Sequence, residues 1–205
     1  MLKKILPNVH EISDFFDKSD AEHILKAFQD SKKWDHVIQK KSEHYSHVFK
    51  NDSVAMPDIN ETYHSSFWRN LELSNDPFIK ESTVKAIKKF FFIHYDIQEL
   101  EIDIRCHKFE KNDFFRVHMD GYAGGYALTI SFNKNWKWDW GGILNIVHGK
   151  EDSQLLGLLP KWNSANILNN YLNPSPHFVT PIQQFALEIR YTITCFVKKL
   201  NNINK

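Results

Sequence analysis

After Leu100 the chain stops repeating at helical spacing and begins to alternate. Leu100, Ile102, Ile104 and Cys106 are interleaved with Glu101, Asp103, Arg105 and His107, the two-residue period of a strand with one buried face. Strand-like runs follow at Phe114–His118, Tyr126–Asn133, Gly142–His148, Asn163–Asn170, His177–Val179 and Ile189–Lys198. Turn residues separate them and no helical crossover lies between them, which disfavours a parallel α/β sheet. All seven glycines fall between Gly121 and Gly157, in turns and at strand starts of this half. The pattern is that of an all-β sandwich or barrel.

Before Leu100 the expectation is helical and irregular. Ser19 and Glu22 have capping-box spacing, and Ile24, Leu25 and Phe28 follow on one helical face, which predicts a helix over 20–31. Asp76-Pro77 starts a second helix, which the spacing of Val84, Ile87 and Phe91 carries to Phe92. Between them Lys32–Ser66 reads as a long polar connection with a short strand near Tyr45–Phe49. A length of 205 residues suits one domain, with 1–99 a helical and irregular flank and 100–200 the β core. The chain carries 26 Lys+Arg against 25 Asp+Glu, so bulk charge favours neither nucleic acid nor an anionic membrane. Cys106 and Cys195 are the only cysteines; a disulfide framework is not expected, and the expected compartment is the reducing cytoplasm.

The chemistry begins with histidine. Two H-x-D triplets occur, His94-Tyr-Asp96 and His118-Met-Asp120. With 11 histidines and 25 acids in the chain, chance alone supplies about one such triplet, so context must separate them. His94 lies where a helix ends and the two side chains diverge. His118 ends a strand, where residues i and i+2 point to one face and can share a metal ion. A third ligand is required downstream, and His148 and His177 both qualify. Two histidines and a carboxylate with open positions suit non-haem Fe(II), and zinc hydrolysis uses similar ligands. Arg190 sits in an apolar strand, sharing a face with Thr192 and Thr194. A buried guanidinium requires an anionic partner, and its fork matches a carboxylate. Trp136, Trp138 and Trp140 share a face if extended, as core or as a substrate platform. Tyr122 and Tyr126 flank Gly124-Gly125, a plain turn or a loop that closes over substrate.

The ordered set His118-x-Asp120, His177 and Arg190-x-Thr192 resembles the Fe(II)/2-oxoglutarate-dependent dioxygenases. The text between them resembles the prolyl 4-hydroxylase-like branch: Phe109–Asp120 leading into the metal pair, Leu128–Trp136, Trp138-Asp-Trp-Gly-Gly-Ile-Leu144, His177–Pro181 and Arg190–Thr194. Phe15–Leu25 resembles the family's N-terminal helix. The resemblance implies a double-stranded β-helix (jelly-roll, cupin-like) core with flanking helices. It implies Fe(II) held by His118, Asp120 and His177, and 2-oxoglutarate held at its distal carboxylate by Arg190, Thr192 and Ser131. O2 is the second cosubstrate, with ascorbate as a supporting reductant. Ser131 and Phe109 stand where relatives often carry tyrosine, and the stretch from His177 to Arg190 is a few residues longer than expected.

The implied reaction is hydroxylation of an unactivated C–H bond, on a prolyl residue of a protein. Two alternatives remain at this point: the same chemistry on a free amino acid, sugar-containing or other small metabolite, and a jelly-roll binding module without turnover. The expected partners are a protein or small-molecule substrate, with no nucleic acid and no membrane.

Overall fold

In the computed structural model, residues 2–39, 65–120, 125–149, 154–172 and 175–200 are described. The alternation after Leu100 becomes strands β5 (Leu100–Phe109), β6 (Phe114–His118), β7 (Tyr126–Ser131), β8 (Leu144–His148), β9 (Gln154–Leu158), β10 (Ser164–Asn169), β11 (His177–Val179) and β12 (Arg190–Lys199). All pairings are antiparallel, and the sheet curls on itself. One half runs β10-β7-β12-β5 and the other β6-β11-β8-β9. This interleaving of alternate strands between two facing halves is the jelly roll, and the fold is mainly β.

The first hundred residues depart from the expectation. Their described residues contain four strands, β1 (Leu2–Leu6), β2 (Val9–Ser13), β3 (Asp35–Gln39) and β4 (Ser65–Asn70), besides helices α1 (Lys18–Asp30), α2 (Leu71–Asn75) and α3 (Pro77–Tyr95). The β1–β2 hairpin extends one edge of the sheet by pairing with β10. β4 pairs with both β5 and β6, bridging the two halves of the roll. These strands are legible only in partnership. β1 exposes Lys3 and Lys4 as an edge strand does, which blurs its alternation. β9 was also not expected; Gly157 lies inside it, rather than in a turn, where an added Cβ would press on Ile143. The strand expected near Tyr45–Phe49 lies outside the described residues.

Both helices form where expected, with different ends. α1 starts at Lys18 with Asp17 as its N-cap and no side-chain cap bond. Ser19 is therefore already inside the first turn, where its backbone is helical and a capping box cannot form. Glu22 instead takes Lys134 across both carboxylate oxygens, 2.8 Å each. Asp76 does cap α3, accepting from the Ile79 amide at 2.9 Å. That helix passes Phe92 to Tyr95 because Asp96 adopts the left-handed conformation and closes it.

Strand alternation sorts the two faces of the β10-β7-β12-β5 half. Ala165, Ile167, Leu128, Ile130, Ile193, Cys195, Ile104 and Cys106 point outward and pack with Ile24, Phe28, Ile87 and Phe91 of the helices. Both cysteines are free and buried there. Tyr126 belongs to this outer layer and touches Phe91, so it faces away from the interior. Inside the roll, Val9, Ala127 and Leu168 meet Leu144, Ile146, Leu158 and Val179 of the facing half. Beside Phe109, the inner face also carries the buried polar positions Ser131, Thr192, Arg190 and His107. No described helix is long and apolar enough to cross a membrane.

Candidate active site

The register of β6 and β11 creates the first cluster. His118 and His177 are directly opposed across the antiparallel pair, with ring centroids 4.3 Å apart. Asp120, just beyond the end of β6, turns its carboxylate between them: Oδ1 is 3.6 Å from His118 Nε2 and Oδ2 is 3.2 Å from His177 Nε2. The three ligand atoms lie within 4.8 Å of one another. Asn170 Nδ2 donates to the Asp120 carbonyl at 3.1 Å and anchors the segment.

Both rings are oriented from behind. His118 Nδ1 lies 2.7 Å from the Arg116 carbonyl and His177 Nδ1 2.9 Å from the Ser175 carbonyl. A carbonyl only accepts, so each Nδ1 carries a proton and each neutral ring presents the Nε2 lone pair to the common centre. Burial disfavours the Asp120 charge, but His177 and then His118 outweigh it and bring its pKa down to about 2. Burial likewise opposes protonation of His177, yet the facing Asp120 raises its pKa. The facing Asp120 favours a proton on His177, and a divalent cation at the cluster would compete with that proton.

The second cluster lies on the inner face of β7, β12 and β5. Thr192 is cross-strand partner to Ser131 on one side and His107 on the other. Arg190 sits two residues from Thr192 and is 2% exposed. Its guanidinium lies 4.8 Å over the Phe109 ring, and no carboxylate among the described residues pairs with it. Burial lowers its pKa to about 10, which leaves it charged at neutral pH. Ser131 Oγ, Thr192 Oγ1 and Arg190 Nε are all buried without a hydrogen-bond partner. Such a set is costly unless something accepts from it. A carboxylate fits: it offers several acceptor lone pairs and a countercharge to one guanidinium and two hydroxyls.

Gly142 holds the arginine in place. It has φ +63°, and a Cβ there would meet Arg190 Cδ at 3.2 Å and Trp136 Cζ2 at 3.0 Å. Its amide donates to the Thr180 carbonyl at 3.0 Å, so the Gly141-Gly142 turn also ties down the segment after β11. The residues added between His177 and Arg190 loop outward, with Leu187 86% exposed, and Arg190 keeps its pairing with Phe109.

Other expectations sort themselves by distance. His148 ends β8 opposite Gln154 and is not part of the three-residue cluster. His94 is exposed at the end of α3 and rests on Phe90. The three tryptophans do not share a face: Trp138–Trp140 form a 3-10 turn, Trp136 and Trp140 are buried edge to face, and Trp138 is exposed. Gly121, Tyr122 and Gly124 lie outside the described residues. His107 was overlooked, although its position two residues from Phe109 already placed it on the inner face of the same strand.

A family model described as the 2OG-Fe(II) oxygenase superfamily matches residues 104–198, from within β5 to the end of the sheet. Both clusters fall inside that match. That matched stretch resembles a 2OG-Fe(II) oxygenase domain. The chain is also similar in fold to solved structures. An oxidoreductase of the 2OG-Fe(II) oxygenase family from Burkholderia pseudomallei superposes with TM-score 0.63 at 12% identity, covering 95% of this chain and 86% of the other. A prolyl hydroxylase from Trichoplax adhaerens, in complex with a hypoxia inducible factor peptide fragment, gives 0.60 at 13%, covering 94% and 84%. A viral collagen prolyl hydroxylase from Paramecium Bursaria Chlorella virus-1, in complex with 2OG, gives 0.55 at 10%, covering 94% and 97%. No curated protein matches the chain in sequence. The family implies Fe(II) and 2-oxoglutarate, and the two clusters suit them: a two-histidine, one-carboxylate set for the metal and unpartnered donors for a carboxylate.

Proposed function

We propose that this oxygenase hydroxylates an unactivated C–H bond of a prolyl residue in a protein, with iron on His118, Asp120 and His177 and 2-oxoglutarate anchored by Arg190, Thr192 and Ser131. The observation that carries the reaction class is the pairing of the His118–Asp120–His177 cluster with a buried, uncompensated arginine on the neighbouring inner strands. A jelly-roll binding module without turnover has no use for both. The prolyl assignment is supported by the likeness in fold to two prolyl hydroxylases and by the sequence resemblance.

When bound, iron with 2-oxoglutarate and O2 supplies the oxidant for the C–H bond, and the cosubstrate leaves as succinate and CO2, with ascorbate as an auxiliary reductant. The chain supplies placement. Asp120 and the two Nε2 atoms would hold the metal, and three protein ligands would leave positions for the cosubstrates. Arg190, Thr192 and Ser131 set the direction from which the keto acid reaches it. Trp136, Ile182 and the arginine stem are buried and converge on Gly142, which helps to exclude water from that end.

Three measurements test the reading. Under anaerobic conditions, Fe(II) with 2-oxoglutarate should give a weak visible charge-transfer band; a wild-type protein without it loses the cosubstrate assignment. His177→Ala should abolish metal-dependent succinate formation while His148→Ala retains the iron site, and the reverse result would transfer the ligand role to His148. Mass spectrometry should find one added oxygen on a prolyl residue among candidate proteins. Oxygen appearing only on small metabolites replaces the prolyl reading.

A further inference from the structure

Among the described residues two histidines are buried: His177 in the metal cluster and His107 on the inner face of β5. His107 faces Thr192 of β12 and Arg69 of β4 across the sheet. Neighbouring strands lie about 4.8 Å apart, so Ser131, Thr192 and His107 form one row across β7, β12 and β5. Arg190 and Phe109 form the next row on the same face. His107 therefore borders the unpartnered donors from the side opposite Ser131.

The ring is poised as a donor. Its Nδ1 lies 3.4 Å from Thr194 Oγ1, Phe67 meets its face edge-on at 5.1 Å, and Nε2 has no hydrogen-bond partner among the described residues. Burial, then Arg105, Arg190 and Arg69, lower its pKa to about 3, so it is neutral at physiological pH. A threonine hydroxyl can donate to Nδ1, and in that tautomer the neutral ring carries its proton on Nε2. The pocket wall then offers a guanidinium, two hydroxyls and an imidazole N–H, an excess of donors that a carboxylate would satisfy.

We propose that His107 is a fourth binding residue for the distal carboxylate of the keto acid, opposite Ser131, and that it tightens selection for a dicarboxylic over a monocarboxylic keto acid. This rests on the reading of Arg190 as the carboxylate anchor. The test is calorimetric binding of 2-oxoglutarate and of 2-oxobutyrate, which lacks the distal carboxylate, to the full chain loaded with Mn(II). His107→Phe should weaken 2-oxoglutarate about tenfold or more, the loss expected for one hydrogen bond to a charged group. It should leave 2-oxobutyrate and Mn(II) affinity within about twofold. His107→Gln, which keeps a donor, should recover part of the loss. Equal weakening of both acids, or unchanged 2-oxoglutarate affinity in both variants, overturns the proposal. Arg190→Met distinguishes the two levels: if it too binds 2-oxoglutarate as wild type does, the anchor reading fails with it, and if it alone loses binding, only the role of His107 fails. A readout without substitution guards against misfolding. With Zn(II) in place of iron, the His107 ring nitrogens should shift on adding 2-oxoglutarate and not on adding 2-oxobutyrate; no difference overturns the proposal.

Discussion

At the scale of single residues, two backbone and charge effects make testable demands. Gly142→Ala forces a side chain at φ +63° and presses a methyl onto both Arg190 Cδ and Trp136 Cζ2. The conformation alone costs about 1–2 kcal/mol. Thermal unfolding should show that loss, and 2-oxoglutarate affinity should fall about tenfold because the arginine stem must move. A normal affinity would mean that the guanidinium tolerates displacement. The metal cluster makes a pH prediction. His177 has a raised pKa in the metal-free protein because it faces Asp120. The stabilisation from its charged form is complete below the unfolded-state pKa and is lost as pH rises through the folded value. Metal binding competes with the same proton. The increase in Tm on adding Mn(II) should therefore be larger at pH 8 than at pH 6, and an increase that shrinks with rising pH contradicts this coupling.

At the scale of elements, most strands after Leu100 were readable from period-two alternation or from short apolar runs between turns. β6 and β11 match their expected limits, β5, β7, β8, β10 and β12 differ by one or a few residues at their ends, and β9 was missed. α3 was readable from Asp76-Pro77, and its cap is a real bond. Asp76→Ala should cost about 1 kcal/mol in urea denaturation with keto-acid affinity unchanged, since α3 packs on the outer face of the sheet. The strands of the first hundred residues were missed because they have no independent burial. β2 exists as an edge of β10, and β4 as a bridge between β5 and β6. The Ser19–Glu22 box failed for the opposite reason: a purely local signal lost to a helix that begins two residues earlier.

At the scale of the whole molecule, the helices back the outer face of one sheet half, and the site lies inside the roll between the two halves. Phe28 is fully buried where α1 meets Phe132, Tyr191 and Trp34. Phe28→Ala should cost about 3–5 kcal/mol, lowering the denaturation midpoint, and saturating Mn(II) should recover part of the loss because the metal binds only the folded roll. The sequence alone carried the β class, the inner and outer faces of most strands, and a short set of chemical candidates, because these follow from period two and from residue type. It left His148 and His177 equivalent as ligands until a family resemblance was invoked, and it left His107 unremarked. Which of these side chains stand together is set by the tertiary structure. Pairing β6 with β11 sets His177 opposite His118, whereas β8 lies one strand further away and carries His148 outside the cluster. Pairing β5 with β12 and β7 lines up His107, Thr192 and Ser131. Register joins residues tens of positions apart, and no local pattern of side chains encodes it.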